Sequence, residues 1–480
     1  MTTRQAAVDP ARRVAYDVLT AVDSRDAYAN LMLGSALRET SLSGQDAAFA
    51  TELVYGTLRN RGTYDAIIGL CADRGIDQID PAVLETLRMG AHQLLAMHVK
   101  PHAAVATTVD LVVSVAGRRP SGFVNAVLRR IAPRDRESWI GIAAPDRAAD
   151  PVGHLSVRYS HPHWIVAAFA EALGEPPDGD LAETEAALAA DGARPTVQLA
   201  AVPGLANTAE LVDAGATAAR WSPFGAYVSR GDPAAIAAVA ERRAGVQDEA
   251  SQLAAIAVAS APAGAGRTLP GPVPAGGAGE RWLDLCAGPG GKARLLAGLA
   301  AQSGAVLLAA DVHRHRAELA ARAIRPVGSA RAVTADGRRP PWRPGSFDRV
   351  LADVPCSGLG SLRRRPEVRW RREAGDLGAL GVLQRGLLSA AVDAAGPGGI
   401  VGYVTCSPHL AETRQVLADV LAARSQLEVL DAPEILSGLP GLRSDLAGLA
   451  CPPPHQRYAQ FWPHRHGTDA MFVALLRTAG

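Results

Sequence analysis

Two cysteines sit where chemistry can happen: Cys356 in Asp353-Val354-Pro355-Cys356-Ser357-Gly358, and Cys406 in Tyr403-Val404-Thr405-Cys406-Ser407-Pro408. Each follows a short apolar run that reads as a buried strand, 347–352 and 400–405. In an open parallel α/β sheet, ligands bind outside the carboxyl ends of neighbouring strands. Upstream, Asp284-Leu285-Cys286-Ala287-Gly288-Pro289-Gly290-Gly291-Lys292 has the logic of a first strand-to-helix turn. Its glycines let the backbone approach a ligand, and the following helix start offers free N–H groups. A nucleotide-type cofactor pocket with two thiols at its rim points to covalent chemistry on a bound base.

That chemistry can be written out. Carbon 5 of cytosine is a poor nucleophile toward a methylsulfonium. Thiolate addition at carbon 6 breaks aromaticity and makes carbon 5 enamine-like. Protonation at N3 favours the addition, and Asp353 is the nearest candidate to donate or hold that proton. After methyl transfer the carbon 5 proton must leave before the thiol is eliminated, a step in which a second thiol could help. An unperturbed thiol has a pKa of about 8.5, so the nucleophile needs an electropositive setting, which Lys292 and helix N-termini could supply. Residue chemistry does not say which cysteine adds and which assists. The commoner role of a buried cysteine is that of a small hydrophobe; Cys71 and Cys286 read that way, although Cys286 also falls within the cofactor turn.

Three acids stand in register behind the glycine turn. Asp311 ends the second strand of the expected sheet, Asp336 follows the third and Asp353 follows the fourth. An acid after the second strand suits ribose hydroxyls, and one after the third can sit beside an adenine ring. Any one of them could instead be a helix cap; all three in register are better explained by a ligand. The turn lacks the Gly-x-Gly-x-x-Gly signature and the chain has no Walker motif. S-adenosylmethionine, which has no phosphates, therefore fits better than NAD or ATP.

The elements that must position these residues begin at Arg281, where apolar runs alternate with helical stretches. Strands are expected over 282–285, 305–310, 330–334, 350–352 and 400–405. Residues 1–135 read as helices throughout, with Asp9-Pro10 and Asp80-Pro81 as paired cap and N1 signals. Between them, 150–240 reads as a small α/β connector with strands at 196–202 and 226–229 and helices at 207–215 and 233–242. The part that carries the glycine turn and both thiols then spans 241–480, with an Ala/Gly/Pro-rich stretch over 260–280 read as a flexible insertion.

A chain of 480 residues with 48% apolar and 20% charged residues is expected to be globular with about three domains. Forty-nine basic residues oppose 48 acidic ones, so any RNA contact must come from local patches. The only lysines are Lys100 and Lys292, which makes the second, inside the glycine turn, more notable. Five cysteines, no signal-peptide layout and no membrane-length apolar run lead us to expect a protein of the reducing cytoplasm. No Cys-x-x-Cys or paired-histidine motif suggests a metal.

Two resemblances sharpen this reading. Gly122-Phe123-Val124-Asn125-Ala126-Val127-Leu128-Arg129-Arg130, with Leu53-Val54-Tyr55-Gly56-Thr57-Leu58-Arg59, resembles the NusB family of RNA-binding helical domains. The glycine turn, Asp-Val-Pro-Cys-Ser-Gly-Leu-Gly, Arg363-Arg364-Arg365-Pro366-Glu367-Val368-Arg369-Trp370 and Tyr-Val-Thr-Cys-Ser together resemble the Sun-type RNA cytosine-5 methyltransferases of the RsmB kind. The resemblance implies a multidomain chain: an all-α NusB-like bundle, a small α/β connector and a Rossmann-like class I methyltransferase that uses S-adenosylmethionine. It implies small-subunit (16S) ribosomal RNA as substrate, a monomer, Cys406 as nucleophile and Cys356 as the residue assisting product release. Asp353 and Lys292 are carried over as catalytic. Cys286, Ala287, Gly288, Pro289, Gly290, Gly291, Lys292, Asp311, Asp336 and Asp353 are carried over as cofactor contacts. Arg129 and Arg130, with Arg363, Arg364, Arg365 and Arg369, are expected to contact RNA phosphates. The sequence departs from the family at Gly288, where alanine is usual, at Thr468-Asp469-Ala470-Met471-Phe472, and at Gln198-Leu199-Ala200.

Overall fold

Asp9 and Asp80 do what their positions predict. Asp9 accepts the Arg12 amide and Asp80 those of Ala82 and Val83, each before an N1 proline, starting the helices Pro10–Ser24 and Pro81–Leu95. The computed structural model describes residues 8–25, 27–263 and 279–480. Most of the 260–280 stretch therefore lies outside the described residues.

The chain divides into two units, one of Met1–Ala193 with Leu362–Arg372 and the other of Arg194–Ser361 with Glu373–Gly480. The first is helical. Val14, Val18, Leu19 and Val22 share one face of Pro10–Ser24 and are buried, as the 3.6-residue period requires. The part of the expected connector before residue 194 is also helical, as Pro151–Tyr159, His163–Leu173 and Ala182–Gly192, and groups with this unit.

Within the same unit the arginine run holds a correction. Arg369, expected on phosphates, is fully buried. Its guanidinium donates to the carbonyls of Arg59 (2.9 Å), Ser160 (3.3 Å) and Asp191 (2.8 Å). Burial pushes its pKa down to about 10, against the opposing charge of Asp191. Arg363 is buried as well, so neither guanidinium is presented to solvent. Arg369→Ala strands three buried carbonyls at roughly 1–3 kcal/mol for an unsatisfied group. We expect the helical unit to melt roughly 5–15 °C lower by calorimetry of the full chain; an unchanged transition would remove this structural role.

The second unit holds two sheets. The small one comprises β1 (Val197–Ala201), β2 (Thr217–Ala218), β3 (Gly225–Val228) and β4 (Ala244–Val246), antiparallel in the order β2-β3-β1-β4. The helix expected over 233–242 is two short pieces, Pro233–Ala235 and Ala237–Ala240, because Ile236 between them takes an extended backbone.

The large sheet contains β5 (Arg281–Asp284), β6 (Val306–Asp311), β7 (Ala330–Thr334), β8 (Phe347–Asp353), β9 (Ala395–Thr405), β10 (Glu428–Val429), β11 (Ala459–Gln460) and β12 (Phe472–Arg477). Its order is β10-β12-β9-β8-β5-β6-β7, with β11 paired to β12. Strands β5 to β9 are mutually parallel and β12 runs antiparallel beside β9. Glu249–Ser260 and Gly291–Ser303 bury one face, while Asp376–Ala394 and Arg414–Ala423 bury the other, which explains why the parallel strands read as unbroken apolar runs. From β5 the order proceeds one way to β6 and the other way to β8, so a switch point opens at the carboxyl ends of β5 and β8. Asp284 and Asp353 end those two strands.

Candidate active site

The glycine turn leaves β5 with Gly288 (φ +55°) and Gly290 (φ +91°) in left-handed conformations. A Cβ on Gly290 would lie 2.8 Å from Ala320 Cα, so that position also needs the missing side chain. Around Gly288 and Gly291 a Cβ would meet nothing within 4 Å, so the outer side of the turn is open. The helix Gly291–Ser303 that follows has no side-chain cap. Asp311 fixes the turn: its carboxylate accepts the Gly288 amide at 3.0 Å and the His313 amide at 2.8 Å.

The other acids converge here. Asp336 is half-buried and gripped by the Arg338 fork, which holds its carboxyl below the usual range. Lys292 Nζ bonds Asp353 at 2.7 Å and Ser251 Oγ at 3.3 Å. Burial alone would push the lysine pKa down; Asp353, Cys406 and Asp284 more than reverse this. Asp284 is fully buried and neither carboxylate oxygen has a well-formed hydrogen bond. Burial first, and then the Asp353 charge, push its pKa up to about 7, while Lys292 and the Cys286 amide pull the other way. The Cys286 thiol is raised well above its ordinary value by burial and by the charges of Asp284, Asp353, Asp311 and Asp336. Four carboxylates therefore surround one turn.

Cys356 and Cys406 meet with their sulfurs 3.3 Å apart, both half-buried. The bond to Cys356 lowers the Cys406 pKa, burial and the charges of Asp353 and Asp469 oppose this, and Lys292 supports it. Cys356 is raised by the same bond, by burial and by the charge of Glu412. The pair thus favours a thiolate on Cys406 and a proton on Cys356. Gly360 donates its amide to the Cys406 carbonyl at 2.8 Å and accepts from the Ala470 amide at 2.8 Å. A Cβ there would fall 1.9 Å from Ala470 O, so only glycine lets the three segments close.

Sequence reasoning brought Cys286, Asp311, Asp336, Asp353, Lys292 and both thiols into one site. It missed Ser251 and Glu412. Glu412, fully buried, bonds Ser357 and Ser407, the residues directly after the two cysteines. The repeated Cys-Ser pair was the visible half of that signal; nothing local marks the glutamate.

In the helical unit, Arg129 and Arg130 are exposed at the end of Ser121–Ile131, with Arg130 bonded to Asp73 at 3.0 Å and to the Cys71 carbonyl at 2.8 Å. Arg365 is exposed and lies 5.1 Å from the Tyr28 ring centroid. A cavity of about 650 Å³ in this unit is lined by Arg74, Val83, Arg119 and Phe123 among others, and by none of the residues of the thiol site. Among the described residues no helix is long and apolar enough to cross a membrane, and no group of three His, Cys, Asp or Glu could hold a metal.

Comparison with known proteins places both units. The family model for 16S rRNA methyltransferase RsmB/F matches residues 275–477, and that of the NusB family matches 9–133. A Mycobacterium tuberculosis protein that carries a methyltransferase name is 49% identical, covering 99% of this chain and 98% of its own length. The ribosomal RNA small subunit methyltransferase B of Pseudomonas syringae pv. tomato is 30% identical over 97% of this chain and 96% of its own. Among solved structures, PH0851 has a TM-score of 0.74 at 21% identity, covering 98% of this chain and 100% of that one. NSun6 from Pyrococcus horikoshii, solved with SFG, has a TM-score of 0.51 at 15% identity over 66% of this chain and 98% of that one. At these identities the solved structures speak for the fold.

Proposed function

Because the chain belongs to the RsmB/F family of 16S rRNA methyltransferases, we propose that it methylates carbon 5 of a cytosine in small-subunit ribosomal RNA. The family acts on RNA and depends on S-adenosylmethionine, which when bound supplies an electrophilic methyl group. The site fits that group: an open glycine turn, an uncapped helix start, and acceptors on Asp311 and Asp336 for hydroxyls and an amine. Asp284, Asp311, Asp336 and the Cys286–Lys292 turn are the residues that would hold it.

The observation that carries the cytosine-5 reading is the thiol pair beside Lys292 and Asp353. A single thiol could be structural; two sulfurs 3.3 Å apart, one inclined to ionise and the other to keep its proton, suit addition followed by elimination. In this mechanism the Cys406 thiolate adds to carbon 6, and Asp353, fixed by Lys292, holds the proton at N3. Carbon 5 is methylated, its proton leaves, and the bond from Cys406 to carbon 6 breaks with help from Cys356. The target base must be unstacked to reach the thiol. The NusB-family domain is the RNA-binding part of this reading, with Arg129, Arg130, Arg364 and Arg365 on phosphates. A cytoplasmic monomer, with 241–480 as catalytic domain, completes it.

The test offers purified protein either 16S ribosomal RNA or transfer RNA with methyl-labelled S-adenosylmethionine, followed by nuclease digestion and mass spectrometry. Labelled 5-methylcytidine from the ribosomal RNA is expected. Label in transfer RNA alone moves the substrate, and no label with either RNA removes the enzymatic reading in favour of a non-catalytic RNA-binding assembly factor.

A further inference from the structure

Glu412 ends the short turn Leu410–Glu412 and is fully buried. One of its oxygens accepts the Ser357 amide at 2.7 Å and Gln384 Nε2 at 3.1 Å. The other accepts the Ser407 hydroxyl at 2.6 Å and the Ser357 hydroxyl. A second bond from Gln384 Nε2 reaches the carbonyl of Pro355 at 2.9 Å, just before Cys356. The Tyr403 hydroxyl donates to the Glu412 carbonyl at 2.6 Å, tying the turn back to β9. One carboxylate thus grips both cysteine turns, each through the residue next to the thiol.

Stability alone gives little reason for this group. Burying a carboxylate costs free energy, and well-packed apolar side chains often serve a core as well or better. Here the four donors are all neutral, and among the described residues no cation pairs with Glu412. What the arrangement provides is position. The hydroxyls of Ser357 and Ser407 are also 3.2 Å apart, so carboxylate and serines form one closed cluster beneath the sulfurs.

We infer that Glu412 is a positioning residue of the active site, locking the Cys356 and Cys406 turns together so that the two sulfurs keep their separation and aim. The consequence for catalysis rests on the reading of Cys406 as nucleophile and Cys356 as assistant; the consequence for sulfur geometry does not. The charge of Glu412 acts on Cys356 and is absent from the main influences on Cys406, which helps to keep the shared proton on Cys356.

The test reads geometry and catalysis separately. Dibromobimane fluoresces when it bridges two nearby thiols, and mass spectrometry identifies the bridged pair. The full chain should bridge Cys356 to Cys406 readily. In Glu412→Ala the bridging rate should fall by about tenfold or more as the reactive groups lose proximity. The kcat on RNA should fall by about a hundredfold while KM for RNA and the affinity for S-adenosylmethionine stay within about twofold. Glu412→Gln should restore most of the bridging, because an amide can bond both serines once their hydroxyls turn. If Glu412→Ala does not fold, Ser357→Ala/Ser407→Ala, which cuts the hydroxyl arms of the clamp, should show the same losses. Bridging at the wild-type rate in the folded variants overturns the inference, as does a KM change with kcat unmoved. If the wild-type chain methylates no RNA while bridging still depends on Glu412, the functional reading fails and the clamp stands.

Discussion

Cys406→Ala is expected to abolish methylation and leave no covalent RNA adduct, whereas Cys356→Ala should form an adduct and fail to release it. The first result follows because no other group near the site can take over the addition at carbon 6. Lys292 is occupied by Asp353, and Cys356 is the thiol that keeps its proton. Removing a covalent nucleophile costs about four orders of magnitude or more in kcat. The second result follows from where the neighbouring thiol lies. With its sulfur 3.3 Å from Cys406, Cys356 is close enough to assist as the carbon 5 proton leaves and the bond from Cys406 to carbon 6 breaks. Its loss leaves addition and methyl transfer intact and stalls the last step. A denaturing gel reads both outcomes, as a band shift that needs S-adenosylmethionine and disappears with protease. An adduct from Cys406→Ala, with none from Cys356→Ala, would reverse the two roles.

Those two cysteines also show what the sequence could convey. Both strands were legible, because β8 and β9 are buried on two faces and read as continuous apolar runs. The acids that follow β6 and β8 were legible for the same reason: once the strands are placed, the residue at each carboxyl end is placed too. The asymmetry between the thiols was not. It arises first from the bond between the two sulfurs and then from Lys292, which favours the Cys406 thiolate, and Glu412, which disfavours that of Cys356; these two come from different stretches of chain and act through space. Arg369 illustrates the opposite failure. A run of six arginines looks solvated, and nothing in its spacing reveals that one of them reaches three carbonyls far away in sequence. Local pattern reports periodicity and chain ends well; it reports the destination of a long polar side chain poorly.

Asp284→Asn should stabilise the cofactor-free protein in alkaline solution while weakening its response to S-adenosylmethionine. Asp284 is fully buried at the end of β5, and burial, reinforced by Asp353, pushes its pKa up to about 7. An aspartate in the unfolded chain titrates near 3.9. Below about pH 4 both states hold the proton and the residue contributes no pH dependence. Between about 4 and 7 the unfolded chain has released it while the folded chain keeps it, so stability falls by about 1.4 kcal/mol per pH unit. Above about 7 both are ionised and the whole loss, about 4 kcal/mol, has accrued. Asparagine does not titrate, so urea melts of wild type and variant should differ most at pH 8 and converge toward pH 4. Curves that stay parallel across that range would show that Asp284 is ionised throughout. The wild-type loss has a functional counterpart. A ligand bearing a sulfonium and an ammonium favours the ionised carboxylate, so its binding near neutral pH should expel the Asp284 proton. Calorimetric titration in buffers of different ionisation heat should detect that release in the wild type near pH 6.5 and not in Asp284→Asn. In the proposed reading the four carboxylates hold that cation, and Asp284, buried with no well-formed hydrogen bond of its own, is the one whose charge gains most from it.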